Sequence, residues 1–244
     1  MKTINVLSIG NSFSQDAQRY LHELAKSEGV NIQSVNLMIG GCSLELHFRN
    51  MYGDKHGYTI EANGHNVTGF NTSIEEALLA RNWDYVTLQQ VSAFSYDYDT
   101  YMPYMECIAQ CVRELCPKAK LLIHETWGYE SCSERIRANG FETFDEMFAR
   151  IKENYARAAK EIDADGILPS GSALLNALNA GVDKIHRDTF HASLGLGRFI
   201  LALVWYKYMT GNSIDNVSFN NFDEPVSEEE YKIAIDSVNK VFNQ

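Results

Sequence analysis

Short apolar runs alternate with longer amphipathic stretches along this chain, the pattern of βα units around a mainly parallel sheet. The opening segment through Gly10 reads as a first strand, with residues 6–9 as its buried part, and Gly10-Asn11-Ser12-Phe13-Ser14 as the turn after it. Tyr20, Leu21, Leu24 and Ala25 share one helical face and predict a helix over 15–27, ended by Gly29. Further strands are predicted over 32–39, 85–88, 121–123 and 165–168. Helices are predicted over 101–115, stopping before Pro117, and over 143–163, where Phe144, Met147, Phe148, Ile151, Tyr155, Ala158 and Ile162 form one stripe. Residues 191–209 read as a helix apolar nearly all round, which in a water-soluble protein means burial against the sheet. A last helix begins near Ser227, whose Ser-Glu-Glu-Glu start has the form of a capping box.

Residues 42–81 break this rhythm. Tyr58-Thr59-Ile60-Glu61-Ala62 and Val67-Thr68-Gly69-Phe70 flank Asn63-Gly64 and predict a small hairpin. We read the segment as an insertion on one edge of the sheet, within a single domain of residues 1–244. The pattern predicts an α/β domain built on a mainly parallel sheet.

Composition narrows the classes of function. The chain has 244 residues, 45% hydrophobic and 22% charged, enough to bury a sizeable core and unlike a disordered or collagenous chain. Its 21 basic and 32 acidic side chains leave a net charge of −11, which disfavours nucleic acid and anionic membranes as partners. The longest wholly apolar run, Phe199 to Tyr206, is far short of the ~20 residues of a membrane span. No signal-peptide pattern opens the sequence, so the expected location is cytoplasmic unless a leader was removed. Five cysteines are an odd count for a disulfide framework. Cys107, Cys111 and Cys116 lack the Cys-x-x-Cys spacing of a zinc site and read as buried thiols. No metal and no cofactor is expected.

The elbow of the α/β-hydrolases, the phosphate loop and the zinc-protease helix are all missing from the sequence. What remains is a serine-bearing turn at the carboxyl end of the first strand, where open α/β sheets bind ligands. A serine there faces the positive end of the helix dipole with its own N–H free, an arrangement suited to an oxyanion. A helix cap is the plainer reading of Ser12 or Ser14 taken alone. Asp188-Thr189-Phe190-His191 shifts the balance. A carboxylate three residues before a histidine can hold Nδ1 and leave Nε2 as a base directed at a serine.

These blocks resemble the SGNH (GDSL-like) hydrolases. Within them, Gly10-Asn11-Ser12-Phe13-Ser14, Ile39-Gly40-Gly41-Cys42-Ser43-Leu44 and Leu88-Gln89-Gln90-x-Ser92 resemble the bacterial DUF4886 group. The resemblance implies a flavodoxin-like three-layer α/β/α sandwich with a central parallel sheet, and metal-free ester hydrolysis. It makes Ser12 the nucleophile, His191 the base and Asp188 its orienter. The implied oxyanion hole combines the N–H of Ser12, the N–H of Gly41 and an amide after the third strand. The sequence departs from the superfamily at two places: Asn11 stands where an aspartate is usual, and Leu88-Gln89-Gln90 where Gly-x-Asn-Asp is usual. Gln89 or Gln90 is then expected to supply the third donor.

The implied substrate is a small-molecule or carbohydrate ester with an acetyl or short acyl group. Two other readings stay open: an acyltransferase with the same triad, and a flavodoxin-like module holding a phosphate or nucleotide at the 10–14 turn. His47, Trp127, Tyr96, Tyr98, Tyr101 and Tyr104 fall near the expected mouth, but core packing accounts for such residues at least as well.

Overall fold

The computed structural model describes residues 3–243, so Met1 and Lys2 of the predicted opening strand lie outside the described residues. Strand β1 (Thr3–Gly10) is followed by α1 (Ser12–Gln18), α2 (Leu21–Ser27), β2 (Asn31–Met38) and α3 (Leu44–Tyr52). The hairpin is β3 (Tyr58–Ala62) and β4 (His65–Thr72), followed by α4 (Ile74–Leu79), β5 (Tyr85–Leu88), α5 (Tyr104–Leu115) and β6 (Lys120–His124). The chain closes with α6 (Glu134–Ala138), α7 (Phe144–Glu161), β7 (Gly166–Leu168), α8 (Ser170–Asn179), α9 (Leu196–Thr210) and α10 (Glu228–Phe242).

The strands form one sheet in the order β4-β3-β2-β1-β5-β6-β7. The five strands from β2 to β7 in that order are parallel, and β3 and β4 add antiparallel to the β2 edge. Successive residues of β1, β5 and β6 are buried, so both faces of the central sheet are covered, as parallel sheets require. The chain leaves β1 for β2 on one side and reaches β5 on the other. The carboxyl end of β1 is therefore a switch point, with a crevice open for a ligand.

The predicted first helix is two. It begins at Ser12 rather than near residue 15, and it breaks at Arg19-Tyr20. Arg19 pairs with Asp223, and the Tyr20 ring packs on Phe219 and Phe222, contacts that local periodicity cannot foresee. The predicted 191–209 helix starts only at Leu196, because residues 186–192 form a tight loop closed by a bridge between His186 and Ala192. Once begun, α9 is buried nearly all round, as its apolar sequence requires. The segment 42–81 holds helices as well as the hairpin: Ser43 caps α3, and Ser73 with Glu76 forms a capping box for α4. Helices α6 and α8 are short or weakly periodic and lie outside the predicted set. Among the cysteines, Cys42 and Cys116 are buried, Cys107 and Cys111 half-buried and Cys132 exposed, with no disulfide among them.

Candidate active site

The turn that ends β1 is set by Asn11. Its Oδ1 accepts the Phe13 N–H at 3.0 Å, while the Ser14 hydroxyl bonds the Asn11 N–H, a reciprocal cap that starts α1 at Ser12. Gly10 is the residue this turn tolerates, since a Cβ there would lie 2.1 Å from Ser14 Oγ. Ser12 thus takes the first helical position, where its backbone N–H has no intrahelical acceptor.

The Asn11 side chain also looks outward. Its Nδ2 donates to the Cys42 carbonyl at 3.1 Å, holding the Ile39-Gly40-Gly41-Cys42 turn beside the Ser12 turn. That second turn is closed by a Cys42 N–H to Ile39 carbonyl bond and needs the left-handed conformation at Gly41, where φ is +65°. The Gly41 N–H has no acceptor among the described residues.

Opposite Ser12 lies the 186–192 loop. Asp188 Oδ1 accepts the His191 N–H at 2.9 Å, and its Oδ2 lies 2.7 Å from His191 Nδ1. The other ring nitrogen, Nε2, is 2.8 Å from Ser12 Oγ, across 179 positions of sequence. Partial burial alone would raise the Asp188 carboxyl, but the hydrogen bonds and charge of His191 hold it below the ordinary carboxylate value. With Asp188 accepting a hydrogen bond from Nδ1–H, Nε2 is the unprotonated nitrogen and is free to accept a proton from Ser12.

Asp16, Trp127 and Phe190, none of them an expected catalytic or oxyanion residue, tie the Ser12 turn to the His191 loop. Asp16, one helical turn beyond Ser12, is fully buried; it accepts from Arg187 and Arg198 at 2.9 Å and from the Ala192 N–H at 3.2 Å. It therefore grips both flanks of His191 from the nucleophile's own helix. Trp127 stacks on Phe13 at 4.1 Å, nearly parallel, and its indole N–H donates to the Phe190 carbonyl at 2.8 Å. Phe190 in turn packs on the His191 ring at 3.9 Å. No local pattern marks Asp16, because its partners stand more than 170 positions away. The position of Trp127 after a strand end is the one available signal for it.

The glutamines behave differently from the sequence-based expectation. Gln90 gives its amide N–H groups to the carbonyl and hydroxyl of Thr100, and its oxygen accepts from the N–H groups of Leu44 and Val91. Its carboxamide is fully used in joining loops, so Gln90 is not an oxyanion donor. Gln89 is buried beneath the turn. It donates to Asn11 Oδ1 at 2.8 Å and accepts from His124 Nδ1 at 2.5 Å, and so meets the site one step removed.

The softer candidates are structural. His47 is buried against Tyr58, and burial pushes its pKa down to about 3. Tyr101 is buried with its hydroxyl on the Ser95 carbonyl, and Tyr96 bonds Asn139. Among the described residues no cluster of histidine, cysteine and carboxylate could hold a metal ion. No helix among them is long and apolar enough to cross a membrane.

A parallel sheet with its crevice at β1, and a serine and histidine meeting there, define the fold class of the SGNH hydrolases. The chain belongs to the family described as domain of unknown function DUF4886, which it matches over residues 5–240. A DUF4886 family protein from Bacteroides uniformis superposes with a TM-score of 0.91 at 31% identity, over 99% of this chain and 95% of that one. A protein proposed to be an SGNH hydrolase, from Slackia heliotrinireducens, gives 0.62 at 22% identity, over 85% and 100% of the two chains. The family 3 carbohydrate esterase of Clostridium thermocellum gives 0.53 at 15% identity, over 86% and 96%. At those lower identities the likeness is one of fold. No functionally curated protein matches the chain.

Proposed function

We propose that this protein is a serine ester hydrolase acting on acetyl or other short-acyl carboxylic esters, carbohydrate esters included, and that residues 1–244 work as one catalytic domain. The observation that carries the reading is the continuous relay Asp188 Oδ2, His191 Nδ1, His191 Nε2, Ser12 Oγ, with steps of 2.7 and 2.8 Å. A helix cap or a phosphate-binding turn has no use for a carboxylate-oriented imidazole aimed at its serine.

In this mechanism Ser12 Oγ attacks the ester carbonyl carbon while Nε2 of His191 takes the hydroxyl proton. Asp188 steadies the imidazolium that forms. The carbonyl oxygen, now negative, is held by the N–H groups of Ser12 and Gly41, both free of other acceptors. Collapse breaks the bond to the alcohol, which leaves with the proton from His191. Water, deprotonated by the same Nε2, then attacks the acyl carbon, and the acyl–Oγ bond breaks as His191 returns the proton to Ser12, releasing the acid.

The test is a panel of short-chain aryl esters and acetylated sugars, with a fluorophosphonate probe and peptide mapping of the labelled residue. Turnover together with label on Ser12 supports the reading. Hydrolysis that survives Ser12→Ala intact would falsify it. Acyl transfer to an added alcohol in preference to water would make the enzyme a transferase with the same triad.

A further inference from the structure

Arg135 and Arg81 differ from the other arginines in having no carboxylate or carbonyl partner among the described residues, and of the two only Arg135 lies beside the site, since Arg81 covers Trp83 before the amino end of β5. Arg19, Arg49, Arg137, Arg150, Arg157, Arg187 and Arg198 all bond carboxylates, and Arg113 caps the carbonyls at the end of α7. Arg135 is exposed and has no carboxylate partner among the described residues, although the chain carries a net charge of −11. Its guanidinium lies 4.1 Å from the centre of the Phe190 ring and also faces Tyr129.

That ring is no casual support. The Phe190 carbonyl is tied to Trp127, and its ring packs on Tyr129 at 5.7 Å and on the His191 ring at 3.9 Å. Two contacts, a cation over a ring at 4.1 Å and a tilted ring pair at 3.9 Å, therefore lead from Arg135 to the imidazole that faces Ser12. A cation–π contact fixes the guanidinium in place while leaving its N–H fork for a ligand. Among the described residues no carboxylate lies within ion-pair distance of Arg135; Asp188 is engaged by His191, and Glu130 is paired with Lys184.

We propose that Arg135 is a specificity-determining residue, and that the enzyme prefers esters carrying a carboxylate on the part of the substrate that rests against Phe190. The proposal rests on the ester-hydrolase reading. A guanidinium binds a carboxylate through two parallel N–H···O bonds and stays charged at every working pH. The substrate carboxylate takes no part in bond making. It orients the ester over Ser12, while the acyl group still passes to Ser12 Oγ and then to water. Because the chain as a whole repels anions, preference for one must come from a local cation such as this.

The experiment uses matched esters of nearly equal size: 4-carboxyphenyl acetate against 4-carbamoylphenyl acetate, and a monoaryl succinate against the corresponding aryl succinamate. In at least one pair the wild type should favour the anion in kcat/KM by about fivefold or more, chiefly through KM. Arg135→Gln should erase that ratio, Arg135→Lys keep part of it, and Arg135→Glu reverse it. Equal kcat/KM within both pairs, or the same ratio in wild type and Arg135→Gln, overturns the proposal while leaving Ser12-dependent hydrolysis of the neutral esters standing. If the neutral esters too are untouched, or are cleaved independently of Ser12, the hydrolase reading falls and Arg135 with it.

Discussion

Asp16 offers the sharpest test of how the site is held together. Asp16→Asn keeps the size of the side chain and removes its charge, leaving Arg187 and Arg198 without the carboxylate both of them share. Asp16 is fully buried, and the two arginine side chains are 23% and 12% exposed, so water replaces the lost partner only in part. Removing one member of a buried ion pair costs about 3–5 kcal/mol. The asparagine oxygen can still accept one bond, and the arginines keep some hydration, so about 3 kcal/mol is the expected loss. With a urea m-value of about 3 kcal/mol/M, at the upper end for small proteins, the unfolding midpoint should drop by about 1 M. Activity should suffer separately, since the Ala192 N–H and Arg187 flank His191 and a shift of about 1 Å there costs about 100-fold. The assays are urea unfolding followed by tryptophan fluorescence, and the rate of fluorophosphonate labelling measured well below the unfolding midpoint. A midpoint within about 0.2 M of wild type would show that the arginines do not depend on Asp16, and the reasoning would fail.

Ser12→Ala should abolish turnover and labelling without unfolding the protein, and His191→Ala should cost nearly as much, because the groups act as a unit; Asp188→Asn should cost less than either. Gln89→Ala should lower kcat through loss of its bond to Asn11 and also lower stability, by about 1–3 kcal/mol for the buried partners left unpaired, whereas Gln90→Ala should affect stability more than kcat; a large kcat loss confined to Gln90→Ala would restore it as an oxyanion donor. Burial pushes the pKa of His47 and His124 down to about 3 and that of His186 to about 4, so the unfolded chain binds protons below about pH 6.5 that the folded chain refuses. Stability is therefore full above that pH and should fall toward pH 4 by roughly 1 kcal/mol per pH unit for each histidine; urea midpoints that stay flat from pH 7 to 4 would contradict it. Asp188, with its carboxyl held low, adds stability that is present above its ordinary value and lost only as pH falls through the lower folded one.

Features that depend on near neighbours are legible in the amino-acid order. Short apolar runs locate β1, β5 and β6, because a strand buried on both faces must be apolar at successive positions, while β2 shows the alternate burial of a strand covered mainly on one face. The capping box at Ser227 marked the start of α10, since its partners are three residues apart. The Asp188–His191 contact was legible for the same reason: the two residues share one tight turn. Tertiary structure alone decided the rest. That His191 meets Ser12 follows from a loop returning to the β1 edge across 179 positions; the residue types and the block resemblance point to the pairing, but no local spacing fixes it. The early start and break of α1, the delayed start of α9 and the burial of Asp16 answer to partners such as Asp223, Ala192 and Arg187, which no window of periodicity contains. Gln89 and Gln90 stand adjacent in sequence with the same side chain, yet one supports Asn11 and the other ties Thr100 to Leu44. Residue type fixes how many hydrogen bonds an amide can make. Which groups lie within its reach is set by the chain segments packed around it.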